Sequence, residues 1–143
     1  MRRNFTAILV SSYLAILIAT SLWPKPIDGE GFLTIVTRDL LNFFQQDQEL
    51  AWIQYSQLEG ITNVMLYIPL GIFVVVLLKK LNPIIAALIP IVVSLIAESS
   101  QMLFLPERYA TWQDVFNNSL GGVIGVAIAV STRQLLKRKA QGD

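Results

Sequence analysis

Four long apolar blocks punctuate the chain, at residues 5–23, 61–78, 84–105 and 115–132. Three of them carry no charge, and the third carries only Glu98. A bilayer core about 30 Å thick is crossed by roughly 20 helical residues rising 1.5 Å each, and each block is close to that length. Backbone amides in lipid must bond within their own segment, so helix is the expected conformation of all four. Between the first and second blocks the pattern changes. Phe32, Ile35, Val36, Leu40, Phe43 and Phe44 recur at near-helical spacing among Thr34, Arg38, Asp39 and Asn42. This predicts an amphipathic helix lying on the membrane surface or capping the bundle. Pro24, Pro26 and the segment 29–31 mark the turn before it, and residues 49–58 suit a further helical segment leading into the second block.

The expected fold is therefore all-α, an integral membrane bundle of four transmembrane helices forming one domain over residues 1–143, with an external loop at 24–60. Composition agrees. Of the 143 residues 54% are apolar and 15% charged, against about 25% charged in a soluble domain. Four such blocks leave too little polar surface for a soluble bundle. Arg2 and Arg3 would also suit the start of a cleaved signal peptide. The apolar stretch after them is longer than such a leader needs, and Ala19-Thr20-Ser21 matches a cleavage site poorly, so the block is read as a retained span.

Charge orients the bundle. If the spans alternate, Arg2, Arg3, Lys79, Lys80, Arg133, Lys137, Arg138 and Lys139 share one side. The other holds Lys25, Arg38 and Arg108 with the acids Asp28, Glu30, Asp39, Asp47, Glu49, Glu59, Glu107 and Asp114. The basic side is expected to be cytoplasmic, which puts both termini inside. Net charge is +1, so no nucleic-acid partner is implied. Cysteine and histidine are absent, which removes disulfides, thiol nucleophiles, histidine triads and Cys/His metal sites. No metal or cofactor is expected.

Polar residues inside the apolar blocks mark the candidate site. An ionisable side chain costs roughly 2.5–3.5 kcal/mol or more at a membrane helix centre, so it turns toward protein or a wet cavity. Glu98 shares a helix face with Ser94 and Gln101. Asn63 and Tyr67 fall in the first two turns of the second block. Asp114 stands at the mouth of the fourth, with Asn117 and Asn118 a turn further in and Arg108 in the loop before it. These residues lie at similar depth near the outer face, and the inner halves of the helices are apolar. An outward-opening polar pocket lined by Asn63, Tyr67, Glu98, Gln101, Arg108, Asp114 and Asn118 is expected. One Arg with two carboxylates suits a zwitterionic or phosphate-bearing ligand. The same groups would alternatively only tie helices together, at about 0.6 kcal/mol per bond on average. Gly121, Gly125 and Ala129 form a small-residue row that serves packing within the bundle or a homodimer. Pro69 and Pro90 are expected to kink their helices, Gly71 adds freedom beside Pro69, and Gly122 adjoins the row. Asn117-Asn118-Ser119 resembles a glycosylation site but falls within the membrane.

These residues resemble the VanZ-like family of small bacterial membrane proteins. Asn63-Val-Met-Leu-Tyr-Ile-Pro69-Leu-Gly71 is similar to the family's Asn-x-x-x-Phe/Tyr-x-Pro-Leu-Gly pattern, and Glu98-Ser-Ser-Gln101 to its Glu-x-x-Gln. Arg108 followed by Asp114 resembles its Arg and membrane-edge Asp. The run from Asp114 through Asn118, Gly121 and Gly122 to Gly125 resembles its Asp-x-x-x-Asn-x-x-Gly-Gly-x-x-Gly. The likeness covers residues 61–126 in order and spacing, and 1–60 in layout alone. Glu107 departs from it, since the family often has a small residue before the Arg. The resemblance implies a bacterial plasma-membrane location. The family is named for a protein linked to low-level teicoplanin resistance, and it implies no reaction. The expected function is a cell-envelope protein binding a lipid headgroup, a lipid-linked wall precursor or an amphiphilic antibiotic. The alternatives are a structural or partner-binding subunit, and an intramembrane enzyme using Glu98 and Asp114 as acid and base. A transporter would need a polar inner half that these helices lack.

Overall fold

The structure, a computed structural model, describes residues 2–21, 32–46, 55–105 and 111–142. All five elements among them are helices: α1 (Arg2–Ser21), α2 (Phe32–Gln45), α3 (Tyr55–Leu77), α4 (Pro83–Phe104) and α5 (Trp112–Gly142). Three are long and apolar enough to cross a membrane, over Ser56–Leu77, Pro83–Phe104 and Trp112–Gln141, and Phe5–Ser21 is a shorter apolar run. Only 28%, 22% and 28% of the apolar windows of α3, α4 and α5 are buried within the protein. Ile61, Met65, Ile84, Leu88, Ile96, Phe116 and Ile128 all face outward. A water-soluble monomer rarely presents so large an apolar belt; in a bilayer the surrounding solvent is as apolar as these side chains.

Helix ends account for the differences from the sequence pattern. α3 begins at Tyr55, six residues before the apolar run, so the polar turn 55–60 belongs to the helix. α5 continues to Gly142 through good helix formers and the basic cluster. Its 31 residues measure about 46 Å, well beyond a 30 Å core. Between α3 and α4 the chain reverses tightly. Leu81 N–H bonds the Leu78 carbonyl at 2.9 Å, and Asn82 caps α4 by accepting from Ile84 N–H at 2.8 Å. Pro83 occupies the first helical position, where a missing N–H costs nothing. Thr111 caps α5.

α3 and α5 form the most extensive helix pair, with α4 packed against both. Val74, Val75, Ala86 and Val126 make one buried apolar cluster. Leu17, Tyr67 and Leu70 make another and bring in α1. There Tyr13 Oη donates to the Leu66 carbonyl at 2.7 Å, and its ring meets Phe73 edge-on at 5.2 Å. α2 touches α3 and leaves Leu40 and Phe43 exposed.

Candidate functional site

Positions 94, 98 and 101 recur on one face of α4, and that face is turned inward. Ser94 is fully buried, Glu98 is 7% exposed and Gln101 is 4% exposed. Two of them meet α5 and the third meets α1. Asn118 Nδ2 of α5 donates to Glu98 Oε1 at 3.2 Å, within the protein interior. Ser94 Oγ donates to the Val115 carbonyl of α5 at 3.3 Å. Gln101 Nε2 donates to the carbonyl of Ser21, the last residue of α1, at 2.8 Å. The stripe thus joins α4 to α5 and α1.

A second group lies beside the first at the same end. Asn63 Nδ2 of α3 donates to Asp114 Oδ1 at 2.9 Å. Asp114 Oδ2 accepts from Thr111 Oγ1 at 2.6 Å, and Thr111 Oγ1 accepts from the Asp114 N–H at 3.2 Å. Thr111 thus caps α5 through its hydroxyl, which in turn donates to the Asp114 carboxylate. Asp114, in the first turn of α5, is also the tie to α3. Thr111 was not among the residues expected at the site, although Thr-x-x-Asp before an apolar run is a helix-start signature. Asn117, also buried, accepts from Gln113 Nε2 at 3.3 Å and fills the space over Gly60. Tyr67 is 1% exposed and packs between Leu17 and Leu70. Arg108, the expected anion donor, lies outside the described residues.

Depth follows from the helical rise. Glu98 lies six residues inside the end of α4, and Asn118 six inside the start of α5, about 9 Å each. Asn63 lies eight inside α3, about 12 Å. Five of the seven expected residues, Asn63, Glu98, Gln101, Asp114 and Asn118, therefore converge at one end of the bundle in two linked pairs and a strap to α1. They are bonded helix to helix. The surface cavity that the structure describes, about 230 Å³, lies at the other end, between the α3–α4 turn and α5. Asn118 Oδ1 and Ser119 Oγ are enclosed with no hydrogen-bond partner among the described residues. They give the buried cluster a polar remainder. No group of three or more carboxylates among the described residues is placed to hold a metal.

Backbone contact holds these pairs in register. A Cβ on Gly121 would stand 2.1 Å from the Val64 carbonyl oxygen, and one on Gly125 would stand 2.0 Å from that of Ile68. One on Gly71 would stand 2.0 Å from the Gly122 carbonyl oxygen. α3 and α5 therefore run in the same direction with their main chains touching, as small residues permit in membranes. Pro90, fully buried, rests on Gly122, where a Cβ would fall 2.1 Å from its ring. Pro69 sits inside α3 two residues before Gly71. Its missing N–H leaves the Met65 carbonyl without an intrahelical donor.

No curated protein and no solved structure matches the chain. The profile of one family does, over residues 10–136, a stretch that holds α2, α3 and α4 entire, most of α1 and α5, and every polar contact described above. The chain belongs to the VanZ/LLP1 family.

Proposed function

We propose that this protein is a four-span cell-envelope protein whose outer end engages a polar envelope molecule. A lipid headgroup, a lipid-linked wall precursor and an amphiphilic antibiotic share the needed chemistry. The apolar run Phe5–Ser21 supplies the first span. Its 17 residues reach about 26 Å, near the lower limit for crossing. The basic turn at Lys79–Lys80 and the basic end of α5 support a cytoplasmic location for that side and for both termini. α2, with Leu40 and Phe43 uncovered, then rests in the outer headgroup layer.

The observation that carries this reading is the convergence of Asn63–Asp114 and Glu98–Asn118 from three helices at the acid-rich end. Asp114 is only half-buried there and stands at the bundle's mouth. In this reading Arg108 meets a ligand anion, while Glu98 and Asp114 meet an amine or hydroxyl; Asn63, Gln101 and Asn118 orient it, and Tyr67 forms the floor. The test uses Glu98→Gln, Asp114→Asn and Arg108→Ala variants that insert and melt like the parent. Binding of a lipid-linked wall precursor in liposomes and teicoplanin susceptibility of an expressing host are measured. Loss in at least two variants is expected. Unchanged binding and susceptibility in all three would remove the site from the function.

A second reading has its own support. The cross-helix bonds use many of the groups a ligand would need, as expected if the cluster holds a structural or partner-binding subunit together. In that case removing a cross-helix bond, as in Asn63→Ala, lowers the melting temperature, and none of the three variants changes ligand binding. The two carboxylates each engage a different asparagine, so an acid–base pair of Glu98 with Asp114 gains no support.

A further inference from the structure

The end of the bundle opposite the polar cluster holds a feature that the proposed function does not use. The cavity of about 230 Å³ is lined by buried Val75 and Ala86, by Leu78 and Val130, and by the exposed cations Arg133 and Lys137. Positions 130, 133, 134 and 137 of α5 lie on one helical face, turned toward the α3–α4 turn. Arg133 Nη1 donates to the Lys79 carbonyl at 2.7 Å. That bond spends one of five guanidinium donors and ties the group to the α3–α4 turn beside the cavity. The surrounding charge is one-sided. Residues 60–97 and 115–142 contain no Asp or Glu, while Lys79, Lys80, Arg133, Lys137, Arg138 and Lys139 gather at this end.

We propose that this cavity is a binding site for the headgroup of an anionic phospholipid from the adjoining leaflet. The occupant's chemistry follows from the lining. The apolar part of the lining suits acyl and glyceryl carbons, and the paired cations beside it suit a phosphate. Arg supplies the forked donor and Lys the mobile point charge. At about 30 Å³ per water the space holds a phosphoglycerol group and excludes a large soluble ligand. Basic pockets between membrane helices are a recurrent form of headgroup recognition. This site is independent of the polar cluster at the other end.

The test is a lipid titration of the full, delipidated chain in neutral detergent, read by native mass spectrometry and by melting temperature. Phosphatidylglycerol, phosphatidylcholine and soluble glycerol phosphate are the probes. Preferential retention of phosphatidylglycerol is expected. The pair Arg133→Gln/Lys137→Gln should weaken it about thirtyfold, the effect of two contact charges near a membrane surface. The pair Arg138→Gln/Lys139→Gln removes the same charge outside the lining and should weaken it less than about threefold in molar salt, where diffuse attraction reaches only about 3 Å. If the first pair unfolds the protein, Lys137→Gln alone leaves the Arg133 bond intact and should cost about fivefold. Equal losses in both pairs, or equal retention of phosphatidylcholine, overturn the proposal. Glycerol phosphate binding as tightly as the lipid also overturns it, by assigning the site to a soluble phosphate ester.

Discussion

Replacing Gly125 with Ala tests whether α3 and α5 touch main chain to main chain. The new Cβ would lie 2.0 Å from the Ile68 carbonyl oxygen, 3.0 Å from its carbon and 3.1 Å from Gly71 Cα. All three neighbours are backbone, so no rotamer change relieves the overlap. The helices must part by more than an ångström to restore ordinary contact. A gap of 0.5–1 Å forfeits a quarter to a half of the dispersion well of each atom pair that it separates, and overpacking a tight core costs about 1–3 kcal/mol or more. The gain in helix propensity returns at most about 1 kcal/mol. With backbone on both sides the upper end of the overpacking range applies, and a net loss of about 2 kcal/mol is expected. Gly60→Ala is the internal control. Its Cβ would also meet an atom at 2.7 Å, but that atom is Asn117 Nδ2, the far end of a side chain that can swing away. Unfolding free energies in bicelles, by steric trapping or reversible denaturation, give both values. Gly125→Ala as stable as the parent, or no worse than Gly60→Ala, would refute the close approach.

Three further outcomes follow from the geometry. Glu98→Gln keeps an oxygen for Asn118 Nδ2 and should stay within about 0.5 kcal/mol of the parent in the same assay, whereas Glu98→Leu loses the bond, worth about 0.6 and up to 1.7 kcal/mol in membranes. Gln101→Ala releases the Ser21 carbonyl, so amide exchange should rise in α1 well before it rises in α3 or α5; a uniform rise would contradict the strap. The chain has no cysteine, so single introduced thiols report topology: Gln46→Cys should react with an impermeant maleimide on intact cells, and Lys80→Cys and Gln141→Cys only after permeabilisation.

How much of this was legible in the sequence varies with the kind of force involved. Apolar runs set helices, because lipid leaves the backbone no other donors and acceptors, and α4 matches its run to within a residue at each end. Polar helix ends divide: the helical segment expected over 49–58 is helix over 55–58, its first six residues lying outside the described ones, whereas the basic tail 133–142 carries no hydropathy signal and local propensity decides it. The inward turn of Glu98, Gln101 and Asn118 was readable from desolvation cost alone. Their partners were not. Nothing in the spacing of Gln101 says that it reaches a main-chain carbonyl 80 residues away, or that Asp114 divides its oxygens between Asn63 and Thr111. Depth is a property of one helix, whereas pairing depends on rotation and crossing between two. Tyr67 shows the same limit, since its position on α3 did not say that its ring packs with Leu17 and Leu70. The basic cavity was missed because its residues read singly as orientation signals.

The apolar frame and the polar cluster depend on each other. Lipid is as apolar as leucine, so burial of side chains gives α3 and α5 little reason to choose one register over another. The glycines let the main chains meet, and the polar pairs reward the register in which Asn63 reaches Asp114. A double-mutant cycle separates this from two independent contributions. If Gly125→Ala spreads the helices, the 2.9 Å bond between Asn63 and Asp114 is already lengthened, and adding Asn63→Ala should cost much less than it does in the parent. The expected coupling is most of that bond, about 0.5–1.5 kcal/mol. Strict additivity would mean that the polar pairs hold their geometry without the glycine contact. The end of the bundle would then be an autonomous site carried on a generic apolar stem, and the tight α3–α5 contact would have to be explained by something other than the placement of Asp114.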